Sequence, residues 1–192
     1  MNYLQQLFQI IIDPELTTIS LYDSPRMREA FAVVSAYALF TSLDAFCSAY
    51  IQTDTFSVGL LSFLVSGLTT YLLWVLLAMI FHVAADLLGG LGEFPHALGF
   101  VGLGTAPLVI TSFVSLILTL VSLLALPEDP DRLLPNISLG LTILGLTWGS
   151  PGVICYFGMK NAEKLHPLKA FTVTFVLLAA LILLVLYKSD II

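Results

Sequence analysis

The chain has 192 residues, of which 58% are hydrophobic and 10% are charged, and its formal net charge is −6 at pH 7. A soluble domain of this length needs a polar exterior that such a composition does not supply, so a water-soluble fold is excluded. The acidic balance also excludes nucleic acid as a partner, because binding phosphates requires an excess of Lys and Arg. We therefore expect an all-α integral membrane protein.

The N-terminal stretch is apolar but too short to cross a bilayer. Residues 4–12 read LQQLFQIII, and Asp13 then suits the N-cap of a short helix that has Pro14 at its first position. Both pieces would lie along the membrane surface rather than across it. We predict an interfacial helical hairpin over residues 3–24.

Five apolar runs follow the interfacial segment. The hydrocarbon layer is about 30 Å thick and needs about 20 apolar residues per helix, and each run meets that length. The predicted spans cover residues 30–51, 59–88, 97–125, 136–158 and 168–187. Almost no length remains for a soluble domain, so we predict that residues 1–192 form a single membrane domain, a bundle of five transmembrane helices.

The distribution of Lys and Arg predicts how the bundle is oriented, because cytoplasmic segments carry more of them than the segments on the other side. If the N-terminus is inside, most of the basic residues face the cytoplasm. These are Arg26, Arg28, Lys160, Lys164 and Lys169. Only Arg132 and Lys188 then face outward. We therefore expect a cytoplasmic N-terminus and an external C-terminus.

The connection between the second and third spans holds four titratable residues, His82, Asp86, Glu93 and His96. His82 and Asp86 are four residues apart, so on a helix they share one face. A glycine-rich turn at residues 89–92 would let Glu93 and His96 fold back towards them, and we expect at least one positive φ there. Two imidazoles and two carboxylates would suit a divalent transition metal, and no other cofactor is indicated. The simpler interpretation is that the acids cap or solvate helix ends while His82 bonds a backbone carbonyl.

Asp44 is a lone acid within the first predicted span, where ionisable groups are costly and mark function by default. A rise of 1.5 Å per residue places it about 21 Å from the cytoplasmic edge. Hydroxyl-bearing side chains of the neighbouring spans fall near that depth, namely Ser66, Thr69, Thr70, Thr111 and Ser115. We expect a hydrogen-bonded structural carboxyl in preference to a proton relay, because no second intramembrane acid could receive a proton.

Small residues and one proline mark the expected helix contacts. Gly99 and Gly102 in the third span, and Gly145 and Gly149 in the fourth, would let helix backbones approach closely. Pro107 should disturb the third helix near the middle of the membrane, because proline removes a backbone hydrogen bond. We interpret these residues as packing positions, and the alternative is a substrate pathway that follows them.

Three landmarks occur in a recurring order along the chain. An apolar stretch ends in a proline (residues 10–14), a span ends in His82 followed by LGGLGEF (residues 88–94), and Pro107 interrupts the next helix. In this order the chain resembles the Yip domain (Ypt/Rab-interacting protein) family, in its prokaryotic branch. The resemblance implies five spans in the cytoplasmic (inner) membrane of a prokaryote. Eukaryotic relatives interact with Rab-type GTPases and carry a long polar N-terminal region, which is short here, so GTPase binding is not implied.

Two functions from different classes fit these observations. No Gly-x-Ser-x-Gly, phosphate-loop or His-Glu-x-x-His motif occurs, so we expect no enzyme. The favoured hypothesis is a non-enzymatic membrane protein that recruits or organises partners in the lipid bilayer, either other membrane proteins or a second copy of the chain. The alternative is a small oligomeric transporter or channel for a metal ion or protons. A polar cavity joining Asp44 to His82 would favour transport, and an exposed cytoplasmic groove would favour the scaffold.

Overall fold

A computed structural model describes residues 12–23, 26–125 and 150–188, and every regular element within those ranges is an α-helix. The helices are α1 (Pro14–Asp23), α2 (Met27–Thr53), α3 (Phe56–Leu87), α4 (Phe94–Gly104), α5 (Ala106–Ala125), α6 (Ser150–Asn161) and α7 (Pro167–Lys188). The predicted all-α class is confirmed over this part of the chain. Residues 3–11 of the predicted interfacial hairpin lie outside it.

Three stretches are long and apolar enough to cross a membrane, Met27–Thr53, Phe56–Leu87 and Phe94–Val121. They coincide with the first three predicted spans. The fifth predicted span corresponds to α7, whose apolar part within the described residues is the shorter Pro167–Ala180. Most of the fourth, together with Gly145 and Gly149, lies outside the described residues. The membrane character is therefore confirmed, and the count of five spans stays a prediction.

Helices α2 and α3 form the first long hairpin. Helix α2 ends at Asp54, which adopts a left-handed φ of 50° while its N–H donates to the Tyr50 carbonyl at 2.8 Å. The two helices are tied near mid-length by a hydrogen bond of 2.8 Å from Tyr71 Oη to Ser35 Oγ. Helix α3 has 32 residues, about 48 Å at 1.5 Å per residue, so it is longer than the hydrocarbon layer is thick. Its last turns must tilt or project beyond that layer.

The third predicted span is interrupted at Thr105, where α4 ends and α5 begins. Both the N–H and the hydroxyl of Thr105 donate to the Gly102 carbonyl, at 3.1 and 2.7 Å, and this closes the last turn of α4. Pro107 is the second residue of α5, and proline cannot continue the backbone ladder of the preceding helix. The break lies two residues before the proline, close to where the sequence predicts a disturbed helix.

Helix α4 is the buried centre of the bundle and packs against α2, α3 and α6. Eight of its 11 residues are buried. A Cβ added at Gly102 would lie 2.8 Å from the Ala30 Cβ of α2 and 3.0 Å from the Trp74 Nε1 of α3. Only glycine at this position therefore lets α2 and α3 approach α4 so closely. Trp74 Nε1 also donates to the Leu98 carbonyl at 3.0 Å. Gly99 is buried in the same helix.

Candidate functional site

The turn between α3 and α4, residues 88–93, is a polar segment held by several backbone hydrogen bonds and is called the hairpin turn below. The Gly89 N–H donates to the Asp86 carbonyl at 3.0 Å, and the Gly90 N–H donates to the Ala85 carbonyl at 2.8 Å. Gly89 has a φ of 85°, a left-handed conformation that only glycine adopts without a Cβ penalty. The expected positive φ is therefore found at Gly89.

Two hydrogen bonds fasten the hairpin turn to the far end of the chain. The Leu91 N–H donates to the backbone carbonyl of Glu163 at 2.9 Å. Glu163 belongs to the connection between α6 and α7, residues 162–166, called the α6–α7 loop. Lys169 Nζ, in the first turn of α7, donates to the Leu88 carbonyl at 2.9 Å. Residues about 80 positions apart in sequence thus form one polar layer at one end of the bundle.

Glu163 is the most unusual side chain in that layer, because it is ionisable and 0% exposed. Its Oε1 lies 3.7 Å from His82 Nδ1, and neither of its carboxylate oxygens has a hydrogen-bond partner among the described residues. Burial raises the pKa of Glu163 above its ordinary value, and Asp86 acts in the same direction, whereas His82 and His96 oppose the shift. The upward shift means that burial makes ionisation of this carboxyl less favourable than it is in water.

Gly92 provides the space for that carboxyl. A Cβ at Gly92 would overlap the Glu163 carboxylate and would lie 2.8 Å from the Ala162 carbonyl oxygen. The two other glycines of the turn have different roles. Gly89 adopts a positive φ, and Gly90 lies against the Ala85 carbonyl. The glycine-rich run is therefore required partly for space and only partly for backbone conformation.

The four residues proposed as metal ligands separate into two groups. Glu93 and His96 bond each other's backbone as a capping box at the start of α4, and the Glu93 N–H donates to His96 Nδ1 at 2.9 Å. His82 instead lies beside Glu163, and Asp86 is exposed. Within the described ranges, no three His, Cys, Asp or Glu side chains are grouped so that they could hold a metal ion. The metal site stays a prediction that this arrangement does not favour.

Sequence reasoning missed Glu163. Its contact with His82 joins residues 81 positions apart, and no local pattern encodes such a pair. One signal was present, because Glu163 is the sole acid among the basic residues Lys160, Lys164 and Lys169. A lone carboxyl in a basic loop is a candidate for a specific internal partner.

Asp44 is engaged by α5. Ser115 Oγ donates to Asp44 Oδ2 at 3.1 Å, and Thr119 Oγ1 donates to Asp44 Oδ1 at 2.5 Å. Ser115 lies at the depth expected from the helix rise, and Thr119 lies one turn further along α5. Ser66 and Thr69 are on α3, where Thr69 is exposed on the outer surface of the bundle. Asp44 therefore links α2 to α5 rather than to α3.

An open groove of about 280 Å³ lies between α1 and the α6–α7 loop. It is lined by Ile19, Lys160, Asn161, Lys164, Leu165 and Pro167. Two side-chain bonds hold α1 against α6 beside it. Lys160 Nζ donates to Glu15 Oε1 at 2.9 Å, and Asn161 Nδ2 donates to Thr18 Oγ1 at 3.0 Å.

Comparison with known proteins gives one family. The profile of the Yip1 domain matches residues 8–187, which is nearly the whole chain. No curated protein and no solved structure gives a significant match. The match agrees with the landmarks read along the sequence and with the apolar helices of the structure. The chain belongs to the Yip1 domain family.

Proposed function

We propose that this protein is a non-enzymatic scaffold that recruits a partner protein at the cytoplasmic face of a prokaryotic inner membrane, through the hairpin turn. One observation carries the proposal. Leu87 and Leu91 are 82% and 74% exposed, and they flank a backbone that is fastened to the α6–α7 loop and to α7. A rigid support that displays apolar side chains is an arrangement suited to docking.

The surroundings of this apolar pair indicate the chemistry of the partner. Leu87 is the last residue of α3 and lies beside the polar hairpin turn, and exposed apolar surface is unfavourable where it meets water. Asp86 and Glu93 are exposed beside the pair. A partner segment that combines an apolar side chain with Lys or Arg would bury the leucines and match the two carboxylates.

The competing function is a small oligomeric transporter for protons or a metal ion. A proton pathway would need Asp44 to exchange partners, yet each of its carboxylate oxygens accepts a hydrogen bond from a hydroxyl of α5. A metal pathway would need several ligands at one point, and the residues first suggested for that role are divided between a helix cap and the Glu163 contact. These observations favour recruitment over transport.

The test is photo-cross-linking in cells with a photoreactive amino acid at Leu91. Leu64, which is 59% exposed within the apolar part of α3, provides the matched control, because a residue there faces lipid. We expect a discrete protein adduct from Leu91 and none from Leu64, and an adduct of twice the chain mass would identify a second copy as the partner. The absence of any adduct from Leu91 would contradict the proposal. Asp44-dependent proton or metal flux in proteoliposomes would establish transport instead.

A further inference from the structure

We propose that the groove between α1 and the α6–α7 loop binds the phosphate headgroup of an anionic phospholipid. The proposal concerns a surface different from the hairpin turn and does not depend on partner recruitment. It rests on the groove's lining, on its position along α7, and on the backbone that presents Lys164.

The lining of the groove combines two cations with an apolar floor. Lys160 and Lys164 bring ammonium groups to it, while Ile19, Leu165 and Pro167 supply apolar surface. The chain as a whole has a net charge of −6 and only seven Lys and Arg. Two of those seven line this groove with no acidic residue in the lining, although Glu15 is bonded to Lys160 beside it. Basic pockets beside membrane helices suit lipid phosphates.

Further donors are present for a phosphate. The Asn161 side chain carries two N–H groups, and one of them is assigned to Thr18. Helix α7 begins at Pro167, so the positive end of its dipole lies at the groove. Lys160 is bonded to Glu15, but both side chains of this pair are partly exposed. A phosphate can share or replace that carboxylate, because exposed ion pairs are weak.

The position of the groove favours a lipid over a free anion. Helix α7 is apolar over Pro167–Ala180 apart from Lys169, so we infer that the groove lies where the headgroup layer meets the hydrocarbon. Below it, Leu168, Phe171 and Phe175 are exposed on α7. Their spacing of three and four residues places them on one face of the helix. A headgroup in the groove would leave its acyl chains beside this apolar face.

The backbone at Lys164 is built to hold its position. Lys164 has a φ of 57°, a left-handed conformation that is unfavourable for a lysine. It is fixed on both sides, since Glu163 and Leu165 are buried and the Leu165 N–H donates to the Met159 carbonyl at 3.2 Å. The loop therefore keeps Lys164 at the groove despite the local strain.

Native mass spectrometry of the full chain in detergent tests the proposal, with phosphatidylglycerol and phosphatidylcholine of identical acyl chains as probes. We expect phosphatidylglycerol to be retained in preference. Lys164→Asn should weaken phosphatidylglycerol binding about fivefold and leave phosphatidylcholine binding unchanged, and Lys160→Gln with Lys164→Asn should weaken it about 25-fold. Lys188→Gln removes the same charge at the far end of α7 and should change nothing.

The choice of Asn at position 164 keeps the test interpretable. Asparagine tolerates the left-handed backbone better than lysine does, so Lys164→Asn should keep the conformation of the loop, and thermal unfolding checks that the variant is folded. Equal binding of the two lipids by the parent, or unchanged phosphatidylglycerol binding by Lys164→Asn, would overturn the proposal. Displacement of the lipid by excess inorganic phosphate would overturn it too, since the site would then recognise a free anion.

Discussion

At the scale of single residues, Gly92 and Glu163 depend on each other. Gly92→Ala places a methyl group on the Glu163 carboxylate and against the Ala162 carbonyl, and neither the buried side chain nor the backbone can move away freely. We expect a loss of about 1–3 kcal/mol in the free energy of unfolding, the usual range for overpacking. Thermal unfolding in detergent measures it.

Gly152→Ala is the matched control for that prediction. Gly152 lies in α6, and an added Cβ there would meet only the flexible end of Leu178, at 3.2 Å. Alanine favours the helix over glycine, so Gly152→Ala should be neutral or slightly stabilising. Equal effects of the two substitutions would show that Gly92 is not required for space.

Glu163 should also make stability depend on pH. Its pKa is raised in the folded state, mainly by burial, so the folded protein holds this proton more tightly than the unfolded chain does. The contribution of Glu163 to the stability of the folded protein is therefore complete at pH values below the ordinary glutamate range. It is lost as the pH rises through the raised pKa. Glu163→Gln keeps the volume and removes the titration. As the pH is raised from the ordinary glutamate range, the parent should lose more thermal stability than Glu163→Gln does.

Asp54→Asn controls for the removal of an acid. Asp54 is exposed at the other end of α3 and has a left-handed φ of 50°, which asparagine tolerates equally well. The thermal stability of Asp54→Asn should depend on pH in the same way as that of the parent protein. A parent that gained stability relative to Glu163→Gln as the pH rose would show that His82 stabilises the ionised carboxylate more than burial destabilises it.

Asp44 and Glu163 show which residue contacts can be predicted from the sequence. The depth of Asp44 follows from the fixed rise of a helix, and this depth pointed to Ser115 as a neighbour. It could not choose between α3 and α5, because that choice depends on how the helices are rotated in the bundle. Glu163 lies in a loop, where no regular repeat relates position in the sequence to position in space, so its contact with His82 was not predictable.

At the scale of whole helices, the length of an apolar run predicts that a helix is present better than it predicts that the helix is unbroken. Apolar runs alone locate each end of α2 and of α3 to within a few residues. The run at 97–125 also reads as one span, but it forms two helices that meet at Thr105. Pro107 indicates the disturbance, whereas the size of the break depends on the Gly102 carbonyl accepting two hydrogen bonds from Thr105. The hydropathy of the sequence does not predict these hydrogen bonds.

The docking of α1 against α6 should depend on Thr18 more than on the exposed ion pair. Thr18 is buried and accepts the Asn161 amide, whereas Lys160 and Glu15 are partly exposed. Thr18→Val keeps the shape but removes the acceptor of the half-buried Asn161 amide, a hydrogen bond that contributes about 1 kcal/mol. Hydrogen exchange in residues 14–23 should therefore increase strongly in Thr18→Val.

Lys160→Gln is the comparison for this experiment. Exposed ion pairs contribute little to stability, so exchange in the same helix should increase only slightly. A larger increase in Lys160→Gln than in Thr18→Val would mean that charge, and not the buried hydrogen bond, holds α1 in place.

At the scale of the whole molecule, three segments meet at one end of the bundle. The hairpin turn is bonded to the α6–α7 loop and to α7, and α1 is bonded to α6. Segments in direct contact share one side of a membrane. The positive-inside rule assigns the α6–α7 loop and its flanks to the cytoplasm through Lys160, Lys164 and Lys169, and the segment after α1 through Arg26 and Arg28. The hairpin turn has no basic residue of its own, and its contacts with the α6–α7 loop place it on the same side.

The last prediction therefore concerns orientation. Because α7 leaves the α6–α7 loop and runs on through an apolar helix, its far end should emerge on the opposite side from α1. A topology reporter inserted at Lys164 or at Leu91 should be active in the cytoplasm, and one fused after Ile192 should be active outside. A reporter inserted at Asp54, between α2 and α3, should match the C-terminal fusion. Opposite locations for Lys164 and Leu91 would contradict the contacts that join the two loops, and a cytoplasmic C-terminus would contradict α7 as a membrane span.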